Sequence, residues 1–139
     1  MAAVVAGLML IASAMADGTK VGAVTVLATG FTNEKGMVLI QLANSAEDYD
    51  RDDTAFRHAE LKVDGDRVTH VFEDVPYGEY AIKIFHDENG NRKIDMGWRG
   101  PTERYGFSND ARGLLGPPGF DAAKFEVAAR AMEVEIHVK

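Results

Sequence analysis

The chain has 139 residues, with 22 acidic against 15 basic side chains, a formal net charge of −7 and no cysteine. This length predicts one domain, and the lack of thiols excludes disulfides, thiolate metal ligands and a thiol nucleophile. The acidic balance disfavours nucleic acid and anionic membrane surfaces as partners, because both repel a negatively charged protein, and it favours cations as ligands.

The N-terminal segment MAAVVAGLMLIASAMA carries no charge and ends in the small-x-small pattern Ala14-Met15-Ala16. An apolar run of this length is short for a membrane span and is typical of a secretory leader. We therefore expect residues 1–16 to be a signal peptide and residues 17–139 to form a single domain in the periplasm or outside the cell. A leader normally opens with Lys or Arg, which this segment lacks, so a buried first helix or strand is the alternative.

The rest of the chain is predicted to be a series of short strands. Two Val-rich runs between Lys20 and Ala43 flank the turn sequence NEKG, which predicts a β-hairpin. HAELKV and RVTHVFEDV, joined by DGD, predict a second hairpin. YAIKIF follows as a strand, and the faultless alternation of MEVEIHV predicts a half-buried strand near the end of the chain. These elements predict an all-β fold, an antiparallel β-sandwich of about seven strands.

Residues 88–122 show no such periodicity and are predicted to be one long ordered loop. Their aromatic and aliphatic side chains oppose disorder, and a loop of this length in a small domain is commonly functional. The following stretch, DAAKFEVAARA, fits a helix through its alanines or a strand through the alternation of Phe125 and Val127. We predict a strand there.

The stretch HDENGNRKID, residues 86–95, contains the spacing of a calcium loop. In such a loop, alternate residues of a tight turn direct oxygen atoms to one centre. With Asp87 as position 1, Arg92 stands at position 6, where glycine is usual, and Trp98 at position 12, where a bidentate Glu is usual. The predicted ligands of a weak Ca²⁺ site are Asp87, Asn89, Asn91, the Lys93 carbonyl, Asp95 and, closing the site, Glu103.

The same residues also suit a plain turn. Asp, Asn and Gly favour tight turns through local side-chain hydrogen bonds and tolerance of left-handed backbone. The spacing alone therefore leaves both interpretations open: an ion site, or a turn and nothing else.

No catalytic motif is recognisable, because the chain lacks a nucleophile elbow, a phosphate-binding glycine loop and a metalloprotease helix. Ser108 lies in GFSND and not in G-x-S-x-G. The loop carboxylates Glu103 and Asp110 could pair as an acid and a base, but nothing in the sequence distinguishes them from ordinary hydrogen-bonding residues. We therefore expect a protein that is not an enzyme. Trp98, Tyr105 and Phe107 are the aromatic residues that the long loop is expected to present to a ligand.

Several motifs resemble one known family. FEDVPYGEYAIKIFHDENGNRKID, YGFSND and GPPGF, in this order, are similar to the motifs of the bacterial family called domain of unknown function 2141, and the similarity runs from about Val21 to Val138. The resemblance implies export and a transthyretin-like or carboxypeptidase-regulatory-like sandwich, and it implies no activity. Family members usually have glycine where this chain has Arg92.

Together these features predict an exported, non-catalytic binding or accessory module whose ligand is a protein or a carbohydrate. No nucleic acid partner is expected, and no membrane insertion after the leader is removed. Two alternatives stay open: a structural protein of an envelope assembly, or an enzyme that acts on a small or sugar substrate through the loop of residues 86–120.

Overall fold

The computed structural model describes residues 18–51, 55–93, 96–97 and 100–139. The predicted leader, including its cleavage point, lies outside these residues. Within them, ten strands, two short helices and one 3₁₀ turn (Ser108–Asp110) form. The strands are β1 (Val21–Thr29), β2 (Met37–Ala43), β3 (Arg57–Leu61), β4 (Arg67–Pro76), β5 (Gly78–Asp87), β6 (Met96–Gly97), β7 (Gly100–Pro101), β8 (Tyr105–Phe107), β9 (Phe125–Val127) and β10 (Ala131–His137); the helices are α1 (Ala46–Asp50) and α2 (Phe120–Ala123). The all-β prediction is confirmed.

The strands form two main sheets. One has the order β10-β1-β4, and the other has the order β3-β2-β5-β8, with β9 paired to the beginning of β5. Strands β6 and β7 pair only with each other among the described residues. Strands β1 and β10 run parallel, so the prediction of a wholly antiparallel fold was wrong at this pair.

Neither predicted hairpin forms. Strands β1 and β2 lie in different sheets, and so do β3 and β4. The turn between β3 and β4 is closed by a bridge between Asp64 and Arg67. Alternation reports which face of a strand is buried. It does not report whether the next strand pairs within the same sheet or crosses to the other sheet. A hairpin and a crossover therefore give the same alternating pattern in the sequence.

The two main sheets face each other across one core. Strand β1 alternates buried and half-buried residues along its whole length, and its Val24 and Val26 belong to the same apolar cluster as Ile40, Ile82 and Ile84 of the other sheet. Each such side chain, when fully buried, stabilises the fold by about 1.5–3 kcal/mol. The contact between the two inner faces makes the domain a sandwich.

A second apolar cluster organises the region predicted to be a long loop. It contains Tyr49, Ala81, Phe107 and Ala123, so that region is held by β8, the 3₁₀ turn and α2. DAAKFEVAARA is divided between helix α2 and strand β9, which confirms a strand only at its Phe125–Val127 part. Strand β10 confirms the predicted alternation near the end of the chain. No helix among the described residues is long and apolar enough to cross a membrane.

Candidate functional site

The end of strand β5 delivers two buried polar residues to the beginning of the Asp- and Asn-rich turn. His86 is 1% exposed and Asp87 is 2% exposed. Strand β2 places Met37 opposite Asp87. The preceding Gly36 has φ +59°, and a Cβ atom there would lie 2.1 Å from the Asp87 carbonyl oxygen. Only glycine fits at this position, so the beginning of β2 packs directly against the turn.

The carboxylate of Asp87 organises the turn. Its Oδ1 accepts a hydrogen bond from the backbone N–H of Asn91 at 3.2 Å, and its Oδ2 accepts one from the backbone N–H of Arg92 at 2.8 Å. These amides replace part of the water that the buried carboxylate has lost. A carboxylate has about four acceptor positions, so the two described bonds are compatible with additional coordination of a cation.

Two asparagines continue the same local bonding. The Oδ1 of Asn89 accepts from the Asn91 N–H at 3.1 Å, and the Oδ1 of Asn91 accepts from the Lys93 N–H at 3.0 Å. Asp87 and Asn89 therefore converge on one amide group. These bonds are those of a tight turn. They also place the side-chain oxygens of Asp87 and Asn89, which stand at positions 1 and 3 of the calcium spacing, within hydrogen-bonding distance of one atom, the backbone nitrogen of Asn91.

Arg92 occupies the position at which calcium loops and the resembling family usually have glycine. Its φ is +62°, so the arginine adopts the left-handed backbone that glycine would adopt. Its guanidinium pairs with the carboxylate of Glu60 on β3. The left-handed conformation costs a residue with a Cβ about 1–2 kcal/mol, and an exposed ion pair offsets this by only about 0–1 kcal/mol. Arginine at this position therefore adopts the same turn geometry as glycine but lowers the stability of the fold.

Glu103, the residue predicted to close the ion site, reaches the turn from the bend just before β8. Its side chain is 4% exposed, and its Oε2 accepts a hydrogen bond of 2.8 Å from the backbone N–H of Glu88. Strand β8 brings it there, because Tyr105 pairs with Phe85 of β5. The two buried carboxylates therefore hold different parts of one turn: that of Glu103 binds the N–H of Glu88, and that of Asp87 binds the N–H groups of Asn91 and Arg92.

The remaining predicted residues add no contact to the site. Lys93, whose backbone carbonyl is the predicted ligand, is exposed, and Asp95 and Trp98 lie outside the described residues. Within the part of the chain that the structure describes, no three His, Cys, Asp or Glu side chains come together in an arrangement that could hold a metal ion. The calcium prediction therefore depends on the two buried carboxylates and on the amide oxygens of the turn.

Residues 31–36 support the turn from its other side, a contact that the sequence analysis missed. The rings of Phe31 and His86 meet edge to face with centroids 5.5 Å apart. The Nε2 atom of His86 donates to the carbonyl of Lys35, and the side-chain amide of Asn33 donates to the Glu88 carboxylate. The sequence NEKG marked a turn here, but no local signal indicates that this turn folds against the end of β5.

The two described aromatics of the loop differ in exposure. Tyr105 is half-buried and Phe107 is buried in the second apolar cluster, with ring centroids 5.7 Å apart. Both line a cleft of about 240 Å³, together with Gly113, Gly116, Pro117, Pro118 and His137. This cleft is separate from the predicted calcium ligands.

An Asp–His pair stands at the wall of the cleft. Asp110 accepts hydrogen bonds of 2.8 Å from both the backbone N–H and the Nδ1 of His137. The hydrogen bond and charge of Asp110 raise the pKa of His137. Partial burial acts to raise the pKa of Asp110, but the bonds from His137 and the charges of His137 and Arg112 outweigh it, so the pKa of that carboxyl is lowered. Asn109 and Asp110 both have positive φ, 63° and 48°, which directs the carboxylate toward β10.

Ser108 has a structural role. It is fully buried. Its Oγ accepts the Ile82 N–H at 2.8 Å and donates to the Ala123 carbonyl at 2.5 Å. A hydroxyl bonded in this way joins β5 to the end of α2 and is inaccessible to a substrate.

Comparison with known families and proteins gives a match to one family description. The family described as "Uncharacterized protein conserved in bacteria (DUF2141)" matches residues 26–135. This range includes the turn, Glu103 and Asp110. No curated protein and no solved structure matches the chain.

Proposed function

The chain belongs to the family of uncharacterized bacterial proteins DUF2141, and we propose that it is an exported, non-catalytic binding module with a weak Ca²⁺ site in the turn of residues 87–95. Its ligand is a protein or a carbohydrate, and its place is the periplasm or the cell exterior. The observation that carries the ion site is the burial of Asp87 and Glu103 beside the same short segment of backbone.

Two buried carboxylates near one turn favour a cation. Removing a carboxylate from water is costly unless hydrogen bonds or an opposite charge compensate, and two such groups also repel each other. Calcium takes six to eight oxygen ligands in flexible geometry and accepts carboxylates, amide oxygens and backbone carbonyls together. Asn89 and Asn91 supply amide oxygens beside the carboxylates, which is the mixture of ligands that calcium prefers.

Thermal unfolding in chelator and in calcium tests the site. Calcium would bind the folded chain and not the unfolded one, because only folding brings Asp87 and Glu103 together. A dissociation constant of about 0.1 mM would add ~2.7 kcal/mol of stability at ~10 mM calcium. For a domain of this size the melting temperature should rise by about 10 °C. Magnesium should have a much smaller effect, because it retains its water and requires a smaller octahedral site.

The Asp87→Asn variant locates the effect. Asparagine keeps one acceptor oxygen and replaces the other by a donor, so the turn should weaken even in chelator. The measurement is therefore the difference between calcium and chelator, which should vanish in Asp87→Asn. Asp64→Asn is the matched control, because it makes the same charge change in the exposed turn before β4 and should retain the full calcium shift. If the wild type melts at the same temperature in calcium and in chelator, residues 87–95 form only a turn and the proposed ion site is wrong.

Two further observations bear on the remaining parts of the proposal. The buried hydroxyl of Ser108 supports a non-catalytic role, because the serine of the GFSND motif cannot meet a substrate.

Export is supported by the apolar leader in the sequence. Mass spectrometry of protein expressed in a Gram-negative host should find periplasmic material that begins at Asp17, and material that retains residues 1–16 would contradict export.

A further inference from the structure

Two adjacent leucines protrude from the loop after the 3₁₀ turn. Leu114 is 97% exposed and Leu115 is 99% exposed. Among the described residues, the other exposed large apolar side chains are Phe56 and Val71, and each keeps more than half of its surface covered. A pair of fully exposed leucines has no role in the folding of this domain and indicates a surface made for contact.

The turn that carries the leucines is closed at its base. A Cβ atom at Gly113 would lie 1.8 Å from the carbonyl oxygen of Gly116, and Gly116 has φ +142°. Both positions therefore require glycine. The leucines occupy the two places between these glycines, at the tip of the turn, and Pro117 restricts the chain that follows.

The loop is also anchored to the second apolar cluster. The hydroxyl of Tyr49 donates to the Pro118 carbonyl at 2.8 Å in a buried position, and the rings of Tyr49 and Phe120 meet at nearly right angles with centroids 6.0 Å apart. Burial, with a smaller contribution from Asp50, raises the pKa of Tyr49 to about 12, so the hydroxyl remains a donor at neutral pH. A tip on an anchored base is presented at little cost in conformational entropy on binding.

The tip itself carries no acidic side chain. Residues 111–120, ARGLLGPPGF, lie between Asp110 and Asp121, and Arg112 is their one charged residue, in a chain with a net charge of −7. We infer that Leu114 and Leu115 insert into the interface of a phospholipid bilayer, with Arg112 beside the lipid phosphates. This contact lies on the membrane and does not cross it, and it does not depend on the proposed calcium site.

A lipid surface suits this tip better than a protein partner. A stable protein interface buries about 800 Å² on each partner and carries about ten hydrogen bonds. The stretch from Leu114 to Phe120 has no side chain that can hydrogen-bond. Partition into lipid requires only exposed apolar area, supplemented by a cation near the phosphates. Because the whole chain is acidic, a zwitterionic surface is expected to bind it better than an anionic one.

Co-sedimentation with phosphatidylcholine vesicles in chelator tests the inference. The wild type should sediment with the vesicles, and high salt should not release it, because the apolar contact is insensitive to screening. The Leu114→Ser, Leu115→Ser double variant should lose at least about tenfold in partition. Val71→Thr is the matched control, because it also makes an exposed apolar side chain polar, and it should sediment like the wild type.

The serine variant should melt at the wild-type temperature, because both side chains are outside the core; if it does not fold, the corresponding double alanine variant is used. Wild-type protein that stays in the supernatant at every lipid concentration overturns the inference, as does a serine variant that sediments equally well. Light scattering tests whether a second copy of the chain covers the leucines instead. A wild-type oligomer that the serine variant breaks up would assign the tip to a second copy of the chain and overturn the lipid contact.

Discussion

The Oε2 atom of Glu103 accepts a hydrogen bond of 2.8 Å from the backbone N–H of Glu88, and this bond joins the segment before β8 to the turn that follows β5. Strand β5 ends at Asp87, directly before Glu88, and pairs there with β2 through Met37, while β8 pairs with β5 through Tyr105 and Phe85. The bond therefore fixes the beginning of the turn to the segment that leads into β8.

Replacement of Glu103 should separate the hydrogen bond from the charge. Glu103→Ala leaves the Glu88 N–H without this acceptor and should lower the free energy of unfolding in chelator by about 1–3 kcal/mol. Glu103→Gln keeps an acceptor oxygen, so its loss in chelator should be smaller, although it removes the same charge. Urea unfolding of both variants measures the difference, with Glu126→Ala on β9 as an exposed control. Equal stabilities of the alanine variant and the wild type would show that the bond contributes nothing.

Substitution of Arg92 by alanine and by glycine should measure how much stability the left-handed backbone at this position costs. Arg92→Ala retains φ +62° and loses only the exposed pair with Glu60, so it should be less stable than the wild type by up to about 1 kcal/mol. Arg92→Gly loses the same pair but relieves the backbone, so it should be more stable than Arg92→Ala by about 1 kcal/mol. Thermal unfolding of the two variants in one buffer gives this difference directly. A glycine variant less stable than the alanine variant would mean that residue 92 is not left-handed.

The pair of Asp110 and His137 should stabilise the domain most at weakly acidic pH. The raised pKa of His137 means that its contribution is full below the ordinary value of 6.5 and is lost as the pH rises through the raised value. The lowered pKa of Asp110 means that its contribution is full above the ordinary value of 3.8 and is lost as the pH falls through the lowered value. Both contributions are therefore complete between these two ordinary values.

A proton NMR titration of the His137 ring checks this pair. Asp110→Asn removes the charge and should return the pKa of His137 toward its ordinary value. Glu135→Gln is the control, because Glu135 makes the smallest contribution to the raised pKa of His137 and its removal should change the titration less. An unchanged His137 titration in Asp110→Asn would mean that the two side chains are not paired in solution.

The sequence by itself determined the local properties of this protein. Period-two alternation identified strands such as β10 and the face that each one buries, because that pattern depends only on neighbouring residues. The spacing of Asp87, Asn89 and Asn91 predicted the turn, because their hydrogen bonds span at most five positions. The family motifs were equally local, and the family match confirmed them.

Only the tertiary structure decided which strands are partners and which distant residues meet. The parallel pair of β1 with β10, the bond between Glu103 and Glu88, and the pair of Arg92 with Glu60 each join segments that are far apart in the chain. The hairpin predictions failed for this reason, since consecutive strands carried the right alternation and found partners in different sheets. Strand pairing depends on the packing of both sheets around one core, and no short stretch of sequence contains that packing.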